Sequence, residues 1–233
     1  MFIKVFLLGR PGSGKSAVAQ LLETISRENG WDTKHIYDYK YLHGMFRQEV
    51  VDNIPKDERS FRQKGPDACQ GFDVVKFDVL DTALKQMAHE IKAEEHGCLG
   101  ANKLLVIEFA RKEYSHALDI FGYEILKDAH LLYVKLDLKD CIKRVQKRAD
   151  VHRLRSEYDH FVSEDIMRSY YGGDDWSDEQ FFKYLNHLRS VGVTDEELDN
   201  SGTDQELESQ VRVIFGKLVS PQLRLYHRHV LLV

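Results

Sequence analysis

The clearest chemistry in the chain lies near its amino end, in Gly9-Arg10-Pro11-Gly12-Ser13-Gly14-Lys15-Ser16. This run fits G-x-x-x-x-G-K-[ST], the Walker A spacing of a phosphate-binding P-loop. A polyphosphate is densely negative. Glycines let main-chain N–H groups converge on it because no Cβ blocks the approach. Lys15 is long enough to reach the β- and γ-phosphates, and the Ser16 hydroxyl is a ligand for Mg²⁺. The flanks agree. Phe2-Ile3-Lys4-Val5-Phe6-Leu7-Leu8 has strand length and apolar character, and the run from Ala17 to Glu23 has helical spacing. A helix opening at the loop adds the positive end of its dipole. Gly9 through Ser16, together with Ala17, are therefore the expected contacts to ATP.

Five further positions carry charges where a phosphate or an acceptor would need them. Lys103 to Phe109 holds four consecutive aliphatic residues, the mark of a strand buried on both faces, and Glu108 stands near its end. A carboxylate there suits a Walker B role, holding Mg²⁺ directly or through water. Arg111 follows, with a guanidinium fork able to pair with a phosphate. Asp38 comes directly after the strand predicted at residues 33–37, at the end where open parallel sheets bind ligands. It is either a partner or base for an acceptor hydroxyl, or the N-cap of the helix that follows. Arg144 and Arg148 are four apart on a predicted helix, share a face, and could grip both phosphoryl groups, although a solvated basic face would look the same.

Stepping outward, periodicity predicts helices at about 15–29, 41–51, 73–95, 115–126, 138–149, 178–190 and 203–218. Ser177 and Thr203 each open a capping box, and Gly30 and Pro221 act as stops. In the 73–95 helix Val75, Val79, Leu80, Leu84, Met87 and Ile91 form the apolar stripe. A fourth strand is expected at 131–136 and a last one from Val191-Gly192-Val193, with residues 196–202 less apolar than a central strand should be. Residues 38–72, polar and broken by Pro55, Gly65, Pro66 and Gly71, read as an acceptor-binding insert in which Arg47 is the strongest anion-binding candidate. Residues 150–176 read as a mobile lid with a hinge at Gly172-Gly173.

The chain has 233 residues and a net charge of −5, with mixed charges throughout, so a dedicated nucleic-acid surface is not expected. The three cysteines, Cys69, Cys98 and Cys141, show neither zinc nor disulfide spacing and are expected to be reduced. No run approaches membrane-spanning length, and the amino-terminal apolar run is too short for a signal segment, so a cytoplasmic location without a membrane partner is expected.

The Walker A run, the strand closing in Glu108-Phe109-Ala110-Arg111, the Arg144/Arg148 helix and the Asp199-Asn200-Ser201-Gly202-Thr203 turn together resemble the P-loop kinases of the nucleoside-monophosphate-kinase-like superfamily. The resemblance implies a single three-layer α/β domain over residues 1–233, built on a five-stranded parallel sheet. It implies an acceptor lobe after the second strand, a lid after the Arg144/Arg148 helix, and Mg²⁺-dependent transfer of the γ-phosphoryl group of ATP to a small molecule. By position, Asn200 and Gly202 would lie near the base. Two departures stand out. The Asp-Gly-Phe-Pro-Arg run common in nucleotide kinases is absent, and no familiar nucleotide-acceptor pattern follows the second strand. The acceptor is left open among a nucleotide, a cofactor precursor and a phosphorylated metabolite. Competing readings are a GTPase-like switch, for which Asn-Lys-x-Asp is missing, and a kinase acting on nucleic-acid ends or a protein.

Overall fold

The computed structural model describes residues 1–64, 71–97, 102–150 and 162–220. Gly65, Pro66, Cys69, Cys98, residues 151–161 of the expected lid, Pro221 and the apolar tail lie outside them.

Strand β1 (Phe2–Leu8) runs into the Walker A loop and helix α1 (Lys15–Glu28). Strand β2 (Asp32–Tyr37) leads directly into α2 (Asp38–Val51). A short antiparallel pair follows, β3 (Phe61–Gln63) with β4 (Phe72–Val74), then α3 (Asp78–Gly97) and β5 (Lys103–Glu108). Then come α4 (Tyr114–Leu126), β6 (His130–Lys135), α5 (Leu138–Asp150), α6 (Glu164–Ser169) and α7 (Glu179–Arg189). The chain closes with β7 (Thr194–Asp199) and α8 (Asp204–Val219).

The main sheet has five parallel strands in the order β2-β5-β1-β6-β7. Its central strands alternate between two cores. Ile3, Val5 and Leu7 point to one face and pack with Val18, Leu22, Val211 and Phe215 of α1 and α8. Phe6 and Leu8 point to the other and pack with Leu84, Leu118, Phe121 and Leu185 of α3, α4 and α7. Both faces are covered, which is why β1 is apolar apart from Lys4, paired with Glu95, and β5 is apolar between its end residues Lys103 and Glu108. The fold is the three-layer α/β arrangement expected of a P-loop protein. Because all strands point the same way, the loop after β1, Glu108 ending β5 and Asp38 after β2 arrive at one edge.

The expectations between residues 59 and 79 need correction. Residues 72–74 are strand, not helix, and α3 begins only at Asp78. Phe72 is 5% exposed and packs with Phe46, Phe61 and Leu80 in a small satellite core, and that burial fixes the hairpin. Val75, assigned to the helix stripe, is exposed. The last strand also lies later than expected. Residues 194–199 form β7, which among the described residues pairs only with β6. An edge strand buries one residue, Leu198, and carries acids on its free positions, so it lacks the apolar run of a central strand. Thr203 makes the full capping box with Glu206, whereas the N-cap of α7 is Asp178, one residue beyond the expected Ser177, and makes no side-chain cap.

Gly172-Gly173 lies in a stretch tied down just after it. Asp175 accepts hydrogen bonds from the amides of Tyr114 (2.6 Å) and Ser115 (3.0 Å) and from the Ser115 hydroxyl (2.7 Å), capping α4 from outside. Trp176 stacks on Tyr133 with ring centroids 4.8 Å apart and donates to Glu197 (2.9 Å). The insert is tied across as well. Asp73 accepts from the Ser163 amide (2.9 Å) through one oxygen and from Arg62 (3.0 Å) through the other, with Lys64 at 2.8 Å. Burial alone would raise the Asp73 pKa. The bonds from Lys64, the Ser163 amide and Arg62 outweigh it and hold the carboxyl below its usual value.

Two consequences are measurable. Asp175→Ala strips the start of α4 of its acceptor and should lower unfolding free energy by about 1–2 kcal/mol in a urea titration. Asp73→Asn should be less stable than wild type above about pH 4, with the gap closing on further acidification. A carboxylate whose pKa is lowered by folding contributes its stability above the unfolded value and loses it as pH falls through the folded one.

Candidate active site

The Walker A loop holds a conformation that only its glycines allow. Gly12 has φ +81° and Gly14 has φ +104°. A Cβ on Gly12 would lie 2.5 Å from the Cys141 carbonyl oxygen, and one on Gly14 would overlap the Asn200 side-chain amide. Both conformation and space exclude a side chain there. Helix α1 starts at the loop with no acidic residue in its first turn, so its positive end is not neutralised locally.

Distant residues clamp the loop. The Gly9 amide donates to the Tyr114 hydroxyl (2.8 Å). Asn200 Nδ2 donates to the Ser13 carbonyl (2.6 Å), and the Asn200 carbonyl accepts from Arg144 Nη2 (3.0 Å). Arg10 Nε donates to the Tyr171 carbonyl (2.8 Å), and its Nη2 lies 3.3 Å from Asp174 Oδ2. Asp174 also accepts from the Tyr133 hydroxyl (2.8 Å). Lys15 folds back over its own loop, donating to the carbonyls of Gly9 (2.9 Å) and Arg10 (3.0 Å).

The structure brings together most of the residues selected from sequence. Ser16 Oγ donates to Glu108 Oε1 at 2.9 Å, so the hydroxyl that closes the glycine loop and the carboxylate that ends β5 touch. Glu108 Oε2 lies 3.1 Å from His35 Nε2, out of hydrogen-bond alignment. Asp38, Arg111 and Arg144 also border this region. Arg148 stands near enough for its charge to act on Lys15. Asp38 opens α2 rather than capping it, and its Oδ2 accepts from Arg111 Nη1 at 2.6 Å. Arg111 is committed further, to the carbonyls of Ala110 (2.6 Å) and Leu80 (2.8 Å). It braces Asp38 instead of presenting an open fork to phosphate.

Other assignments separate from the site. Arg47 is exposed on α2 and does not line the cleft. Gly202 packs over the Glu206 carboxylate, within the capping turn of α8. Asn102-Lys103 stands at the start of β5, paired with Phe2, at the far end of the sheet from the loop, and cannot serve a base site beside it. Cys141 is free and buried, with its thiol pushed up to about 11 by desolvation.

Burial dominates the electrostatics. It lowers the Lys15 pKa, with the charges of Glu108 and Asp38 working against it. It pushes the Glu108 pKa up, but contact with His35, the Lys15 charge and the Ser16 hydroxyl outweigh it, so Glu108 is held as a carboxylate. Ser16 and Glu108 form a hydroxyl–carboxylate set of the kind that suits a hard cation also bound by phosphates, and the buried, unaligned Glu108 Oε2 leaves capacity for one.

One cleft joins these groups to the insert. It is lined by Lys15, Asp38, Glu108 and Asp73, and by apolar side chains such as Leu42 and Phe72. Sequence reasoning missed His35, Tyr114, Tyr171 and Asp174. His35 had a usable signal, since it lies two residues before the end of β2 and so shares a face with Tyr37. The others reach the loop from more than 100 residues away, with no local signature.

No protein-family model matches the chain, and no curated protein matches its sequence. Solved structures do match. A sugar kinase from Janibacter sp. HTCC2649 superposes with a TM-score of 0.54 at 12% identity, over 96% of this chain and 98% of that one. The APS kinase of Mycobacterium tuberculosis, solved with AMPPNP and APS, gives 0.50 at 14% identity, over 94% and 98%. A Chaetomium thermophilum protein solved with ADP-AlF3 gives 0.50 at 11% identity, over 93% and 99%. Among the described residues no helix is long and apolar enough to cross a membrane. At these identities the likeness establishes architecture: the chain has the fold of the P-loop kinases.

Proposed function

We propose that this protein is an ATP- and Mg²⁺-dependent phosphotransferase acting on a small-molecule hydroxyl. The observation that carries the reading is that Lys15 and Glu108 line the same cleft as Asp38. Phosphate-side and acceptor-side groups thus face one volume. The fold shared with kinases supports it, and so does a nucleotide analogue in one of those structures.

In this reading the amides of residues 12–16 and the start of α1 hold the triphosphate. Lys15 leaves the carbonyls of Gly9 and Arg10 for the phosphates, trading neutral partners for charged ones. Ser16 and Glu108 hold Mg²⁺, which when bound neutralises charge on the phosphates. Arg144 and Arg148 face the transferring group from α5. Asp38 takes the acceptor's proton, and Arg111 keeps its carboxylate aimed. The acceptor oxygen bonds the γ-phosphorus as the bond from that phosphorus to the ADP oxygen breaks. Residues 38–72 hold the acceptor, and 150–176 close over it to exclude water.

An ADP-release assay over a panel of hydroxyl compounds tests this directly. Lys15→Ala should lower kcat/KM by roughly 10²–10³-fold. Wild-type rates from that variant, with its fold intact by circular dichroism, would refute the mechanism. Glu108→Gln should weaken Mg²⁺-dependent ATP uptake by roughly 10–100-fold in calorimetry, and unchanged uptake would remove Glu108 from the metal site.

A further inference from the structure

Two neighbouring carboxylates reach the two residues that open the glycine loop, by separate routes. Asp175 reaches Gly9 through α4: its Oδ1 accepts from the Tyr114 amide at 2.6 Å, and the Tyr114 hydroxyl accepts from the Gly9 amide at 2.8 Å. Asp174 faces Arg10 directly, with Arg10 Nη2 at 3.3 Å from its Oδ2. Capping of α4 accounts for Asp175. Asp174 has a different set of partners. Its side chain is 6% exposed, and besides Arg10 it takes the Tyr133 hydroxyl at 2.8 Å on Oδ2 and the Trp176 amide at 3.2 Å on Oδ1. An asparagine could not serve all three donors, because its amide nitrogen is itself a donor. The position calls for a buried carboxylate, and the charge that balances it belongs to the P-loop.

Arg10 joins the loop to the cleft. Its Nε donates to the Tyr171 carbonyl at 2.8 Å, and Tyr171 lines the cleft together with Lys15, Asp38 and Glu108. Its own carbonyl accepts from Lys15 Nζ at 3.0 Å. One residue therefore touches the lysine through its main chain and the cleft wall through its side chain. When Lys15 leaves that carbonyl for phosphate, Arg10 loses a main-chain partner while its guanidinium stays on Asp174. The contacts run without a gap from Lys15 to Arg10, then to Asp174 and Tyr171, then to Tyr133 and Trp176.

We propose that Asp174 is a positioning residue: by fixing Arg10 it steadies the glycine loop and passes the arrival of nucleotide at Lys15 to the segment from Tyr171 to Trp176. This rests on the phosphotransfer reading, because the triphosphate is what draws Lys15 off the loop carbonyls. Trp176 reports on the event. Its amide bonds Asp174, and its ring stacks on Tyr133 with centroids 4.8 Å apart and planes 8° from parallel. Trp31, the one other tryptophan of the chain, packs on Phe215 in the opposite core.

The test uses the full chain carrying Trp31→Phe, so that Trp176 is its sole tryptophan. Its emission is followed while Mg²⁺ and a non-hydrolysable ATP analogue are titrated in, and calorimetry measures uptake by the same protein. A saturable change in emission is expected, with the midpoint of the calorimetric curve. Asp174→Asn should weaken uptake by roughly three- to tenfold and remove at least about half of the emission change. Arg10→Gln breaks the same pair from the loop side and should also diminish the change, so the test survives a failure of Asp174→Asn to fold. Combined, the two should weaken uptake no more than Arg10→Gln alone. Calorimetric uptake with a silent Trp176 overturns the inference. So do additive losses from the two variants, or an Asp174→Asn protein, folded by near-ultraviolet circular dichroism, that keeps full affinity or a full Trp176 response. That outcome would leave Asp174 a scaffold residue only, lowering stability in urea without reaching the nucleotide. No calorimetric uptake before either change is made sinks the phosphotransfer reading instead.

Discussion

The site depends on keeping the main chain of residues 9–16 in a conformation that has little stability of its own. Its glycines take positive φ values, and its lysine is buried. Glycine also loses the most conformational freedom on ordering. What holds the loop comes from elsewhere in the chain: the Tyr114 hydroxyl on Gly9, the Asn200 amide on Ser13, and Arg144 bracing Asn200 in turn. Each clamp is a buried or half-buried hydrogen bond, and each would leave a desolvated partner if broken. The β1 core sets where the loop begins, and these contacts set its shape.

Charge balance is the second constraint. Lys15, Glu108, Asp38 and Arg111 are all buried at one edge of the sheet. Ions out of water are costly unless paired, and here the signs alternate: Arg111 holds Asp38, while Glu108 touches Ser16 and stands beside His35. Lys15 is the member whose present partners are only carbonyls, and its pKa is lowered by burial. A polyanion would meet a cation that neutral groups now hold.

Insert and loop are mechanically connected through the segment on either side of α6. Before it, Ser163 bonds Asp73 of the hairpin. After it, the Tyr171 carbonyl and Asp174 hold Arg10 of the P-loop, and Asp175 caps α4. Tyr171 also lines the cleft. The segment from Ser163 to Asp175 therefore touches both the β3–β4 hairpin and the glycine loop.

How much of this was legible beforehand varies with the range of the interaction. The Walker A run, the apolar β1 and β5, Glu108 at a strand end and the Thr203 capping box are local patterns, and local sterics and strand burial were enough to read them. The β3–β4 hairpin was misread because its strands are three residues each and owe their existence to Phe72 packing on Phe46 and Phe61. The sequence reading starts the last strand too early, at Val191, because edge position, which excuses the acids of β7, is a property of the sheet and not of the strand. By itself, then, the sequence determined that a glycine turn of Walker A spacing joins a buried parallel strand to a helix, since spacing and glycine chemistry act over neighbours. Only the tertiary structure decided that Arg111 serves Asp38, that Asn200 serves the loop, and that aromatic side chains line the same cleft as the lysine. Those outcomes depend on which buried charge and which ring find each other across distant stretches of chain.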